Sequence, residues 1–200
     1  TFSGDDKPTY IPDKWQRLRS CYKTPLSKEI DIVHSKSSKK AHFSNVSTCS
    51  NVHSCPVCAS YIAARRCDEI RVGMKNHFAM HKNGSVSMMV LTHSHTRHDV
   101  LKDTLDKLKK AMEIFQSDWF VKLTIKKNGM VGKIRSFENT YSKLNGWHPH
   151  FHILWFSSEK IDIGIFRDTL SPYWIKALES VGLSGSGERA LNVYGGEYAS

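Results

Sequence analysis

Three histidines spaced two apart, His148, His150 and His152, lead directly into the apolar run 153–156. Alternate side chains of an extended strand leave the same face. The spacing therefore predicts a row of imidazoles on one face, with Phe151, Ile153 and Trp155 packing from the other. Neighbouring imidazoles on a rigid strand are a bidentate metal site; strand histidines that merely face solvent are the plain alternative. A carboxylate commonly completes such a set. Glu138 lies in the preceding segment, and a hairpin closed by the loop 142–146 would bring it opposite the histidines, making it the expected third ligand. Its plain alternative is a surface carboxylate paired with Arg135. A mixed nitrogen and oxygen set with open positions suits Mg²⁺ or Mn²⁺ at a phosphodiester. The same set could hold zinc and activate water, and spacing alone does not decide between them.

A second group is rich in sulfur. Cys49, Cys55, Cys58 and Cys67 crowd together while Cys21 stands apart. Cys55-Pro56-Val57-Cys58 is a two-thiol clamp at the start of a helix, and with Cys21 and Cys49 it predicts a four-thiolate structural zinc site. His42 or His53 could replace one cysteine. A thioredoxin-type redox dithiol is the rival reading, disfavoured because residues 50–54 supply no preceding strand. Cys67, inside the helix, is expected to be a buried thiol rather than a ligand.

The third group is the run Asn192-Val193-Tyr194-Gly195-Gly196-Glu197-Tyr198-Ala199-Ser200. A tyrosine brought to the metal strand by a helix could attack a phosphodiester and keep the phosphate as a covalent phosphotyrosine. Tyr198 is the candidate, and Tyr194 is the weaker one because it falls in a strand. His93, His95 and His98 follow a strand end, where contact with solvent is as good a reading as contact with DNA. Trp119, Trp155 and Trp174 could stack on bases, but each is expected in the core. The lysines of 102–110 read as the solvated face of a helix.

The elements that must position these groups alternate. A helix is expected over 59–81, stopped by Asn83-Gly84. Strand 86–92 and an amphipathic helix over 99–115 follow, then a turn at 126–129, strand 131–141 and the histidine strand 148–156. The last elements are a helix over 161–181 containing Pro172, a flexible connection at 182–187, a short strand 190–194 and a helix at the chain end. The order β-α-β-β-α-β predicts an α+β fold: a ferredoxin-like antiparallel sheet carrying helices, preceded by a Cys-rich zinc-binding segment. Residues 1–82 are expected to form the Cys-rich segment and its helix, and 83–200 the catalytic domain. Because Ser200 falls in what reads as an unfinished helix, that domain is expected to continue past the chain end.

Lys and Arg number 29 against 19 Asp and Glu, a formal charge of +10. Such an excess suits a polyanionic partner, since each neutralised phosphate releases condensed counterions. No apolar stretch is long enough for a bilayer, and no signal segment opens the chain. The expectation is a soluble, intracellular protein.

With these residues in view, a resemblance emerges. Trp147-His148-Pro149-His150-Phe151-His152 resembles the His-hydrophobe-His (HUH) motif of rolling-circle replication initiators and related single-strand transposases. Val90-Leu91-Thr92 followed by His93 or His95 resembles their first motif. Glu138 followed by a short loop and Gly146-Trp147-His148-Pro149-His150 is similar to the plasmid Rep type, as is the Cys-Pro-x-Cys-Ala segment. Glu197-Tyr198-Ala199-Ser200 resembles the start of the tyrosine motif. The resemblance implies a site-specific single-stranded DNA endonuclease and transesterase. Tyr198 would attack the origin strand, keep the 5′ phosphate and free a 3′ hydroxyl for replication. It implies His150 and His152 as ligands of Mg²⁺ or Mn²⁺ beside Glu138, with His148 supporting them from behind. The implied partners are an origin hairpin or nick site and host replication proteins, in the cytoplasm of a plasmid-bearing bacterium, with no membrane. The motif's second tyrosine would fall at position 202, beyond the chain. A transposase of the same chemistry, a hydrolase using water and a non-catalytic zinc-containing nucleic-acid-binding module are the competing readings.

Overall fold

The structure, a computed structural model of the chain, describes residues 13–35 and 40–195. The chain divides into two compact units, Thr1–Val72 and Gly73–Ser200. The first contains α1 (Asp13–Ser20) and an antiparallel hairpin of β1 (Ile32–Ser35) and β2 (Lys40–Phe43). It also contains the start of α2 (Pro56–Met80), which runs through the division. Its centre is sulfur: Cys21, Cys49, Cys55 and Cys58 are buried together, with Leu18, Tyr22 and Ile62 packed around them. Cys67 departs from expectation. It is exposed, and its sulfur accepts from Arg71 at 3.7 Å; α2 turns this residue outward.

The second unit contains β3 (Ser85–Leu91), α3 (Leu101–Ser117), α4 (Trp119–Lys127), β4 (Met130–Ser142), β5 (Gly146–Ser157), α5 (Ile163–Ser180), the short α6 (Gly187–Ala190) and β6 (Leu191–Gly195). The strands form one sheet in the order β4-β5-β3-β6, with every pairing antiparallel. The expected α+β class and antiparallel sheet are therefore observed. Alternation sorts the side chains. Met89, Leu91, Phe151, Ile153, Trp155, Leu191 and Val193 face one way and join Leu108, Met112 and Phe115 of α3 and Phe166, Leu170, Trp174 and Leu178 of α5 in a single core. Burying each such side chain stabilises by about 1.5–3 kcal/mol.

Two of the helices start where a carboxylate satisfies free amides. Asp118 accepts from the amides of Phe120 and Val121 to open α4, and Asp162 accepts from Ile165 to open α5. The sequence reading expected no helix at α4 and began a turn at its last two residues, Lys126 and Lys127; Trp119 at its start is 71% exposed, against the expected core position. Its side chain precedes the buried Val121 and Thr124 stripe. Trp155 and Trp174 are buried as expected. β4 is an edge strand whose helix-side face stays open. Lys133 lies over Trp155, Arg135 over Phe151, and Phe137 meets Phe151 edge-on. Such charges blunt an edge against further strand pairing.

Candidate active site

Two features of the backbone place the histidines. Gly146 opens β5 at a φ of +78°, and a Cβ there would lie 2.9 Å from the Cα of Arg97. Only glycine lets the chain turn this tightly against the 96–97 segment. From Gly146 to Phe156 the β4–β5 ladder keeps one register: Thr140 faces His148, Glu138 faces His150, and Ser136 faces His152. β3 joins only from Phe151 onward. His148 and His150 thus stand where the sheet narrows from four strands to two.

Cross-strand partners share a face, with Cβ atoms about 4.5–5.5 Å apart, so Glu138 meets both imidazoles. Its Oε2 lies 3.0 Å from His152 Nε2 and 3.4 Å from His150 Nε2. The Nδ1–H of His150 donates to its neighbour's carbonyl, His148 O, at 3.0 Å. That bond directs the Nε2 lone pair of His150 toward a carboxylate oxygen, and two acceptors facing each other need a proton or a cation between them. Glu138, His150 and His152, the three residues singled out in the sequence, are thus brought together in a group that could hold a metal ion. Glu138 pairs with the imidazoles rather than with Arg135.

His148 continues the row backward and belongs to a stack of rings. It lies 4.8 Å from His150, and His95 stacks on it at 4.4 Å with only 9° between the planes. Thr92 Oγ1 sits 2.5 Å from His148 Nε2. Burial, helped by His95 and His150, lowers the His148 pKa below the ordinary imidazole range. His93 does not face solvent, which was one of the two readings its place after the strand left open. It is 4% exposed, neither ring nitrogen has a hydrogen-bond partner among the described residues, and burial pulls its pKa down to about 4. These rings line a cleft of about 500 Å³ together with Ser94, Asn145, Ser186 and Arg189. The sequence reading weighed His95 between solvent and DNA contact and within the resembled first motif, and left Asn145 and Arg189 without a role.

The face opposite the core carries an apolar row across all four strands. Ile134, Leu154, Met88 and Tyr194 are successive cross-strand neighbours, and Ile134, Met88 and Tyr194 are exposed. The next row is Ser136, His152, Val90 and Asn192. The apolar row thus lies beside the carboxylate–imidazole group. Tyr198 lies outside the described residues; β6 brings the chain to Gly195 on this sheet.

In the first unit, the sulfurs of Cys21, Cys49, Cys55 and Cys58 all lie within 4.8 Å of one another. Neighbouring pairs are 3.4–3.6 Å apart. A disulfide would need about 2.0 Å, whereas four thiolates around zinc stand about 3.8 Å apart at the usual 2.3 Å bond length. Amides of Cys49, Asn51 and Cys58 point at the sulfurs of Cys21, Cys49 and Cys55, which favours thiolates. Led by the Cys58 amide, such contacts pull Cys55 down to about 7, while burial pushes Cys21 up to about 12. The quartet expected from sequence is assembled, without His42 or His53.

Set beside known proteins, the chain falls in one group. A family model described as Replication protein matches residues 40–166. That is more than half of the chain, and the chain belongs to this family, in agreement with the resemblance to plasmid Rep proteins. The matched span contains Cys49, Cys55, Cys58, Glu138, His150 and His152 but neither Cys21 nor Tyr198. Protein rep of Streptomyces lividans is 26% identical over 132 residues, which cover 53% of this chain and 28% of that protein. The chain thus spans less than a third of the length of this relative. No solved structure matches the chain.

Proposed function

We propose that this chain is the nicking domain of a rolling-circle replication initiator: a metal-dependent, site-specific endonuclease and transesterase acting on single-stranded DNA at an origin hairpin or nick site. The observation that carries the reading is Glu138 Oε2 between the Nε2 atoms of His150 and His152, within a replication protein family match. We read the strand order β4-β5-β3-β6 as the ferredoxin-like arrangement, with the strand of DNA crossing the open face. The row Ile134, Leu154, Met88 and Tyr194 supports this, since exposed apolar and aromatic side chains beside a metal site suit unstacked bases.

Glu138, His150 and His152 would hold Mg²⁺ or Mn²⁺, which withdraws charge from a phosphoryl oxygen and makes phosphorus electrophilic. The chain's residues do the rest. The His148 carbonyl holds the proton on His150 Nδ1, so that Nε2 stays an acceptor. The Tyr198 phenol loses its proton to solvent, its oxygen forms a bond to phosphorus, and the P–O3′ bond breaks. The 3′ oxygen leaves, takes up a proton and can prime synthesis, while the 5′ phosphate stays on the tyrosine. Attack by a later 3′ hydroxyl reverses the step. The four cysteines would hold structural Zn²⁺. Host replication proteins would be recruited in the cytoplasm of the plasmid-bearing cell, in keeping with the absence, among the described residues, of a helix long and apolar enough to cross a membrane.

The test is trapping of covalent adducts from a pool of randomised single-stranded oligonucleotides with Mn²⁺, read on denaturing gels. The wild type should carry a DNA-shifted band, lost in His150→Ala and Tyr198→Phe with folding intact. Retention of the band in His150→Ala would remove the metal role. An undiminished adduct in Tyr198→Phe would move the nucleophile elsewhere. Cleavage without adduct would indicate a hydrolase using water, and binding without cleavage a non-catalytic module.

A further inference from the structure

The cleft beside the metal-capable group has a chemistry of its own. Its walls are the segment that follows β3, with Thr92, His93, Ser94 and His95, the hairpin residue Asn145, and Ser186 and Arg189 from the far side. At about 500 Å³ it falls in the range that holds a small ligand, roughly 300–1,000 Å³. Among the described lining residues there is a guanidinium and no carboxylate, which suits an anion. Asn145, Ser94 and Ser186 offer donors and acceptors of the kind that read a base edge.

Two further observations point to a bound group rather than an idle hollow. His93, 4% exposed, lines the cleft with both ring nitrogens unpartnered among the described residues; buried polar atoms without a partner are rare and costly. The rings of His95, His148 and His150 form a ladder, with centroids 4.4 and 4.8 Å apart and planes 9° and 27° apart. A planar base can extend such a ladder at its His95 end, because stacking needs only a π-face. The other end of the ladder, His150, is in the carboxylate–imidazole group.

We propose that this cleft is a single-nucleotide subsite. One base of the single-stranded substrate stacks on His95, its edge is read by Asn145 and the two serines, and a phosphate of the same strand meets Arg189. Seating that nucleotide sets the register of the strand, so that a neighbouring phosphodiester falls at Glu138, His150 and His152. The proposal rests on the nuclease reading for its substrate but not on its chemistry, which allows the two to be tested apart.

The experiment selects bound strands from a randomised single-stranded pool without added divalent ions, sequences them, and measures their affinity by anisotropy. The wild type should prefer one base at one position by roughly ten-fold or more. His95→Ala should weaken binding by a similar factor and His95→Phe should restore it, because stacking survives while hydrogen bonding does not. Asn145→Ala should flatten the base preference with a smaller loss of affinity. Arg189→Ala should weaken all sequences alike and lower the salt dependence of binding. Urea unfolding checks that each variant is folded. Unchanged affinity and preference in His95→Ala and Asn145→Ala would overturn the proposal even if adduct formation is intact. Loss of adduct in every assay with a preference that still depends on His95 would overturn the nuclease chemistry and leave the subsite standing.

Discussion

His93 shows how one buried residue can tie stability to acidity. Its folded pKa is about 4 against an ordinary 6.5, chiefly through burial. Below pH 6.5 the unfolded chain therefore takes up a proton that the folded chain refuses. The stability this neutral ring permits is fully present above pH 6.5 and drains away as pH falls toward 4. The urea midpoint of the wild type should drop across that window, and the drop should be smaller in His93→Leu. Identical pH profiles for the two proteins would refute the assignment. At this scale the sequence was readable where chemistry is local: the alternation His148, His150, His152 and the clamp Cys55–Cys58 both survive in the structure. It was misleading for single residues whose surroundings come from elsewhere. Cys67 and Trp119 were expected inside and are exposed, and His93, left open between solvent and DNA contact, is buried.

Among elements, α5 supports the site from behind. Trp174 is fully buried, and its Nε1–H donates to the carbonyl of Thr92 at 2.8 Å. Thr92 in turn touches His148, so a core indole holds the end of β3 against the histidine strand. Trp174→Phe removes that donor from a buried carbonyl and leaves a void. A loss of about 1–3 kcal/mol in urea unfolding is expected, together with weaker strand binding than the stability change alone would cause. Unaltered stability would mean that the bond contributes nothing. Element order and type were legible from periodicity, because β3, α3, β4, β5, α5 and β6 each keep a clear repeat. α4 was not, since its short stripe of Val121 and Thr124 is too brief to separate from a loop. Asp118 as its cap is recognisable only once the helix is known.

For the whole molecule, the two thiol classes and the charge give separate readouts. With metal bound by the quartet, only Cys67 should react quickly with an aromatic disulfide reagent. After a strong chelator all five cysteines should react, and the first unit should become protease-sensitive, because such sites supply folding free energy directly. Rapid reaction of all five before chelation would argue against a four-thiolate site. The excess of +10 predicts that affinity for single-stranded DNA falls steeply and log-linearly with salt, by about 0.7 per phosphate contact. A flat salt profile would separate the charge from DNA binding.

The sequence by itself determined which residues could share a strand face and which thiols could clamp one ion, because side-chain direction follows from the backbone repeat. It also carried the resemblance to plasmid Rep proteins, with which the family match over residues 40–166 agrees. The tertiary structure decided which groups meet across long separations: Cys21 with Cys58, Glu138 with His152, His95 with His148, and Trp174 with Thr92. Those meetings depend on strand register and on the packing of helices against one face of the sheet, which are properties of the whole fold and of no single segment.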